Sequence, residues 1–288
     1  MAAFKEIKER IQSVKTTQKI TSAMKMVSAS KLNKAQKNIT GMLPYANALH
    51  HILHSVLAGS EDFNTSLAAE RTPERVAIIA FSSDSSLAGS FNSNVIKEFR
   101  KVLATYEHLP KEHILIYTVG KKIFEAARKS GYAITRYFEG LAAKPDYDIM
   151  AAFAGELISL FDRKAIDRVE VIYHHFKSAG SQVLTRENFL PLTLPPAGKT
   201  TDKSVTADYI LEPSREEVLT ELLPKSLKLK LYTMLLDSNA SEHAARVIAM
   251  QTATDNADEL IGALTVAYNK SRQQAITNEL LDMVGGTM

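Results

Sequence analysis

Residues 5–32 read KEIKERIQSVKTTQKITSAMKMVSASKL, and the spacing of their apolar positions sets the organisation of the chain. Ile7, Ile11, Val14, Gln18, Thr21, Met24 and Leu32 recur at steps that mostly alternate between three and four, the period of one helical face. The pattern continues through Ala35, Ile39, Leu43, Ala46, Leu49, Leu53 and Val56, with Gly41 and Pro44 the only helix breakers between Phe4 and Leu57. A helix of that length would reach about 80 Å at 1.5 Å per residue. A kink is expected before Pro44. No single small core can wrap such an object, so the chain must supply a partner helix.

The partner lies at the other end. Ser214 and Glu217 make a capping-box pattern after Pro213, and Pro224 is expected to kink or restart the helix that follows. From Lys225 to Val284 there is no further proline, and Gly262 is the only glycine until Gly285 and Gly286, where the helix should stop. Leu227, Leu231 and Leu235 form a strong seam that thins to Ala245, Ile248, Thr252, Asn256, Leu260, Leu264, Ala267 and Ser271. On the first helix the weak stretch runs through Gln18, Thr21 and Ser28. A self-sufficient coiled coil would carry leucine at such positions. Small and polar residues bring backbones close but bury little area. Part of the helix pair is therefore expected to sit in a sleeve made by other chains.

Charge supports the pairing. Between Lys5 and Lys37 nine Lys/Arg face only Glu6 and Glu9, a local balance of +7, whereas Asp237 to Asp282 carries −4 within a chain of net charge +3. Two helical ends of opposite sign should lie together or each face a charged partner. The 288 residues include no cysteine, which excludes disulfides, thiolate metal sites and cysteine nucleophiles. No apolar run is long enough to span a bilayer and no signal-peptide core is present, so a cytoplasmic protein is expected.

Between the helices the period shortens. Arg75 to Phe81 reads as a buried strand, Ser82 to Ser86 as a turn, and Phe91, Val95, Phe99 and Val102 as a helix face. A strand over Ile114–Val119 precedes a helix over Lys121–Lys129 that Gly131 stops. A strand over Ala133–Phe138 is followed by a helix capped by Asp148. Val169, Val171 and Tyr173 alternate, and Ser178 to Ser181 turns into a strand over Gln182–Leu192. Strands alternating with helices predict an α/β domain with a mostly parallel sheet. The expected division is a long N-terminal helix at 1–58, an α/β domain at 73–195, a Pro/Gly-bearing linker at 196–213 and a long C-terminal helix at 214–286. The fold class is thus an antiparallel coiled coil of terminal helices plus a Rossmann-like domain.

No catalytic constellation stands out, and no cofactor or metal site is expected. The first strand–turn–helix carries one glycine, Gly89, rather than G-x-G-x-x-G, and Gly120-Lys121-Lys122 does not complete a phosphate loop. His50 and His54 are one turn apart without a carboxylate to complete a metal site. His174 and His175 point to opposite faces of a strand. His243 in SEHAAR is not a metalloprotease motif, and Ser22–Lys25 and Ser28–Lys31 lack the companions of an acyl enzyme. The basic first helix has no aromatic residue between Lys5 and Lys37 to stack a base, so no nucleic-acid partner is expected. Two other readings stay open: a nucleotide-dependent enzyme on the α/β domain, and a basic helical adaptor.

The two ends carry a more specific signal. Lys5 to Leu32 resembles the N-terminal helix of the γ subunit of F-type ATP synthases. SEHAARVIAMQTATDNADELIGALTVAYNKSRQQAITNELLDMVGG, Ser241 to Gly286, is similar to that family's C-terminal helix. Pro44-Tyr45-Ala46 and the Ser83-Asp84 turn also fit. Where the family commonly carries a turn like D-R-G-L-C-G-G-L-N, this chain has Asp84-Ser85-Ser86-Leu87-Ala88-Gly89-Ser90-Phe91-Asn92. Any positive φ needed at Ser86 or Ser90 would then be strained. The resemblance implies a non-catalytic central rotor, turned by the c-ring inside a ring of α and β subunits, with the α/β domain as a foot that touches the ε subunit and c-ring. It implies a peripheral protein at the cytoplasmic face of a bacterial inner membrane, attached only through the complex. It implies ring contacts for Arg272, Gln273, Lys270 and Thr277 at one end and for Met24, Lys25, Lys31 and Lys34 at the other, with Pro44, Tyr45 and Asp84 in the foot region.

Overall fold

The computed structural model describes residues 2–58, 65–192, 211–212 and 214–285. In chain order the main elements are α1 (Ala2–Ala58), β1 (Val76–Phe81), α2 (Phe91–Thr105), β2 (Ile114–Val119), α3 (Lys121–Lys129), β3 (Ile134–Phe138), α4 (Tyr147–Asp162), β4 (Arg168–Ser178), β5 (Ser181–Leu190) and α5 (Arg215–Gly285). The chain forms two compact units, Met1–Lys31 with Arg246–Met288, and Leu32–Ala245. Most of the predicted linker, 196–210 with Pro213, and the stop residue Gly286 lie outside the described residues.

The larger unit is built on a five-stranded sheet of order β3-β2-β1-β4-β5. β1 runs parallel to β2 and β4, β2 parallel to β3, and only β5 is antiparallel, returning from β4 through Ser178–Ser181. The sheet is therefore mostly parallel, as expected. Every residue of β1 is buried, because helices cover both faces. On one face Val76, Ile78, Ala80 and Ile172 pack with Val95, Phe99 and Val102 of α2 and Ile123 of α3. On the other, Ala77, Ile79, Phe81 and Val171 pack with Phe153 and Leu157 of α4 and with Leu223, Leu227, Leu231 and Leu235 of α5. The alternation expected for β4 holds, with Val169, Val171 and Tyr173 on the α4/α5 side and Ile172 on the other, but over Val169–His174 both faces are buried.

Two local expectations are corrected. Asp146, not Asp148, caps α4: its carboxylate accepts from the Ile149 amide at 3.1 Å, while Asp148 sits inside the first turn. Pro224 does not restart α5, which runs on from Arg215 through it, and Pro44 likewise lies inside α1. One missing amide removes one bond, which long helical flanks on either side can absorb. The capping role of Ser214 holds, with its Oγ accepting from the Glu217 amide at 3.3 Å.

Gly120 joins β2 to α3 at φ +97, and a Cβ there would meet the Ser82 carbonyl oxygen at 2.2 Å. That closeness lets the ends of β1 and β2 meet, with Ser82 N donating to Val119 O at 2.8 Å. Gly120→Ala should therefore lose about 2–4 kcal/mol from combined backbone strain and overlap. Denaturant unfolding of the purified chain measures this, and parental stability in the variant would contradict the packing described.

Candidate interaction surfaces

A ligand on such a sheet would bind beyond the carboxyl ends of β1 and β4, where the strand order changes direction. Here protein groups fill that crevice. Phe91, the first residue of α2, stacks on His174 of β4 with ring centroids 4.4 Å apart, and both side chains are buried. The start of α3 is occupied as well. Asp84 Oδ1 accepts from Lys121 N at 3.0 Å, Ser83 O from Lys122 N at 3.1 Å and Ser82 Oγ from Ile123 N at 2.9 Å. These are amides that a phosphate would use, and a carboxylate already stands on the first of them. The preceding turn is held by Asn92, whose Oδ1 accepts from Ser83 N at 3.1 Å and from Ser83 Oγ at 2.9 Å. Its positive φ values fall at Leu87 and Gly89 rather than at Ser86 or Ser90. The serines of the altered turn thus carry no such strain.

Burial lowers the His174 pKa from 6.5 to about 4, and its Nδ1 has no partner among the described residues. His175, on the opposite face of β4, pairs through Nδ1 with Asp237 Oδ2 at 2.6 Å. Burial raises the Asp237 carboxyl above its usual range, and the bond to His175 opposes that. Beside this pair, Lys230 Nζ lies 2.5 Å from Glu187 Oε1, and Tyr173 Oη donates to Glu187 Oε2 at 3.2 Å. Burial, followed by the Glu187 charge, pushes the Tyr173 hydroxyl up. These groups form the polar wall of a cleft of about 580 Å³ whose apolar walls include Leu49 and Leu53 of α1 and Leu223 and Met234 of α5. The side chains of His50 and His54 lie outside the described residues.

The smaller unit is a pair of helical segments joined by a polar seam. Gln18 Nε2 donates to Asp258 Oδ1 at 2.5 Å, the hydroxyls of Thr21 and Thr254 are 2.8 Å apart, and Lys25 Nζ donates to Gln251 Oε1. Phe4 stacks on Tyr268 with centroids 4.5 Å apart. As residue numbers rise on α1 they fall on α5, so the pair is antiparallel. The α1 face is the expected one, but the α5 face is so only at Leu264 and Ser271. Met250, Thr254, Ala257, Ile261, Leu264, Tyr268 and Ser271 are buried or half-buried, whereas Ile248, Thr252, Asn256, Leu260 and Ala267 are exposed. Steps of four from Ile248 to Leu260 advance about 40° per step beyond a full turn, so that series leaves the contact face. Several larger apolar side chains point outward on both helices, among them Ile20, Met26, Val27, Ile248, Leu260 and Val266, the last 70% exposed.

A profile of the ATP synthase family matches residues 3–288. A Phocaeicola vulgatus protein named ATP synthase gamma chain is 51% identical over 288 residues, covering 100% of each chain. The chain belongs to the ATP synthase gamma-chain family. A gamma chain from Bacteroides fragilis is 54% identical over 289 residues, again with 100% of both chains covered. Among solved structures, a chain of the Euglena gracilis mitochondrial ATP synthase (OSCP/F1/c-ring) shares the fold. It has a TM-score of 0.65 and 19% identity, covering 99% of this chain and 94% of that one. A chain from the central stalk and c-ring structure of the Tetrahymena thermophila enzyme gives 0.57 and 22%, covering 81% and 99%.

Within the gamma-chain fold the anticipated contact residues fall into two kinds. Lys31, Lys34, Lys270, Arg272, Gln273 and Thr277 are exposed, although the Thr277 hydroxyl donates back to Gln273 O at 2.9 Å. Met24 and Lys25 are half-buried, and Lys25 is engaged by Gln251. Pro44 and Tyr45 are exposed on α1, the latter 56%, and Asp84 caps α3. Sequence reasoning missed the Phe91–His174 plug and the interhelical rungs. Only Thr21 and Gln18 in an otherwise apolar series hinted at the latter. Among the described residues no helix is long and apolar enough to cross a membrane.

The neutral His174 gives a pH signature. Above pH 6.5 the ring is neutral both folded and unfolded; as pH falls toward about 4 the unfolded chain takes up a proton that the fold refuses, so stability is lost. The loss should approach about 3 kcal/mol. His174→Phe preserves the stack on Phe91 and should flatten that part of the stability–pH curve. An acid dependence identical in the two proteins would count against it.

Proposed function

We propose that this chain is the central rotor shaft of an F-type ATP synthase, coupling ion-driven rotation of the c-ring to conformational change at catalytic sites in the β subunits, and that it is itself non-catalytic. Full-length identity of about half to gamma chains carries the reading. The partners are the α and β subunits, the ε subunit and the c-ring, with membrane association only through the complex at the cytoplasmic face of the bacterial inner membrane. The helices at 1–58 and 214–286 serve as the shaft, 73–195 as the foot and 196–213 as the connection.

The physics of the helix pair suits that role. Apolar contact is non-directional, so scattered outward side chains such as Met26, Ile248 and Val266 can meet a sleeve without one strongly preferred angle. Directional interactions are left to exposed charges. Arg272 makes charge-assisted hydrogen bonds to β at particular rotor angles, a guanidinium being matched to carboxylate geometry. Lys31 and Lys34 follow acidic surfaces of β as the shaft turns. The filled crevice at Phe91 and His174 and the carboxylate at the start of α3 speak against nucleotide chemistry on the sheet.

Affinity purification of the tagged chain should recover α, β and ε with ATPase activity, and recovery of the chain alone would overturn the reading. In the whole complex Arg272→Ala should lower ATP-driven ion pumping relative to ATP hydrolysis. Reversing the charge at both Lys31 and Lys34 should slow rotation or reduce torque. Unchanged coupling in the first, or unchanged rotation in the second, removes that residue assignment.

A further inference from the structure

Every residue of α5 from Met234 to Ala244 is buried, although the stretch includes Asp237, Ser238, Asn239, Ser241, Glu242 and His243. A helix packed on one side exposes the other, and polar residues are normally the ones exposed. Burying them is costly unless each is bonded. Here the described bonds leave the helix in different directions. Asp237 pairs with His175 of β4, Asn239 Nδ2 donates to Ala142 O before α4 at 2.7 Å, and Ser241 Oγ donates to His174 O at 3.2 Å. Successive helical residues are about 100° apart, so Asp237 and Asn239 leave on nearly opposite sides. Ala240 and Ala244 meanwhile pack against Leu32 and Ala35 of α1.

We infer that Asp237–Ala244 is the torsional joint of the rotor, with Asn239 and Ser241 as positioning residues that key α5 to the sheet. The inference rests on the shaft reading and deepens it. Leucine packing of α5 on the sheet resists separation and large rotation, but apolar contact is non-directional and leaves the fine setting of the helix angle to directed bonds. Directed bonds on opposing sides resist rotation of the helix about its own axis, and buried hydrogen bonds are strengthened by the low local dielectric. Ser241 holds the backbone of His174, whose ring stacks on Phe91, so the joint reaches through β4 to the start of α2. Torque arriving at the α/β unit would pass into α5 here.

The test uses the assembled synthase in inverted membrane vesicles. Asn239→Leu with Ser241→Ala removes both donors at similar volume. The gradient formed at a matched rate of ATP hydrolysis should fall by about half or more, because a joint that yields breaks the coupling between sites. Ser241→Thr keeps the hydroxyl and should stay coupled. A double variant that assembles, hydrolyses ATP and pumps like the parent overturns the joint. Where the double variant does not assemble, Ser241→Ala alone is read in the same way. A parental chain not found with α, β and ε would instead fail the shaft reading, before any variant is made.

Discussion

The apolar face that α5 lays across the sheet is the contact on which the larger unit depends. Leu223, Leu227, Leu231 and Leu235 cover the same side of β1 and β4 as Phe153 and Leu157 of α4. Each such side chain contributes about 1.5–3 kcal/mol on burial. Together with α4 they keep that side of β1, whose six residues are all buried, away from water. The C-terminal helix is thus a layer of the α/β unit, and the chain's last element completes a core that its middle begins.

The two units hold their helices by different means. In the larger one α1 and α5 pack through apolar side chains, Leu32 and Ala35 against Ala240 and Ala244. In the smaller one the rungs are amides, hydroxyls and charges: Gln18 to Asp258, Thr21 to Thr254, Lys25 to Gln251. Partly exposed bonds of this kind contribute modestly, since water competes for every donor and acceptor. Apolar residues are divided between the seam, such as Met250 and Ile261, and the outside, such as Met26 and Val266, unlike a solitary coiled coil. Such a pair calls for surrounding protein.

The sheet has the topology that elsewhere receives nucleotides, yet its crevice is closed from within. An aromatic ring at the head of α2 rests on a buried histidine, and an aspartate occupies the amide end of α3. Topology supplies the place for a ligand, but side chains decide whether the place is open. Here the same position serves rigidity, joining β1, β2 and β4 at their carboxyl ends.

The sequence by itself determined the long terminal helices, the strand–helix alternation of the centre and the inward face of α1, from Ile11 through Thr21 to Leu32. Those properties follow from local periodicity, which every helix and strand writes into its own residues. It did not determine the facing side of α5, where Ile248 and Leu260 looked like seam residues and are exposed, nor Asp146 rather than Asp148 as the cap of α4. The first depends on what a neighbouring helix offers; the second is a local choice, since Asp146 bonds the Ile149 amide three residues on. Only tertiary structure placed Phe91 on His174 and Asn239 on Ala142, residues 83 and 97 apart in the sequence. Contacts at that separation arise from the crossing of whole elements, and no residue's immediate neighbours encode them.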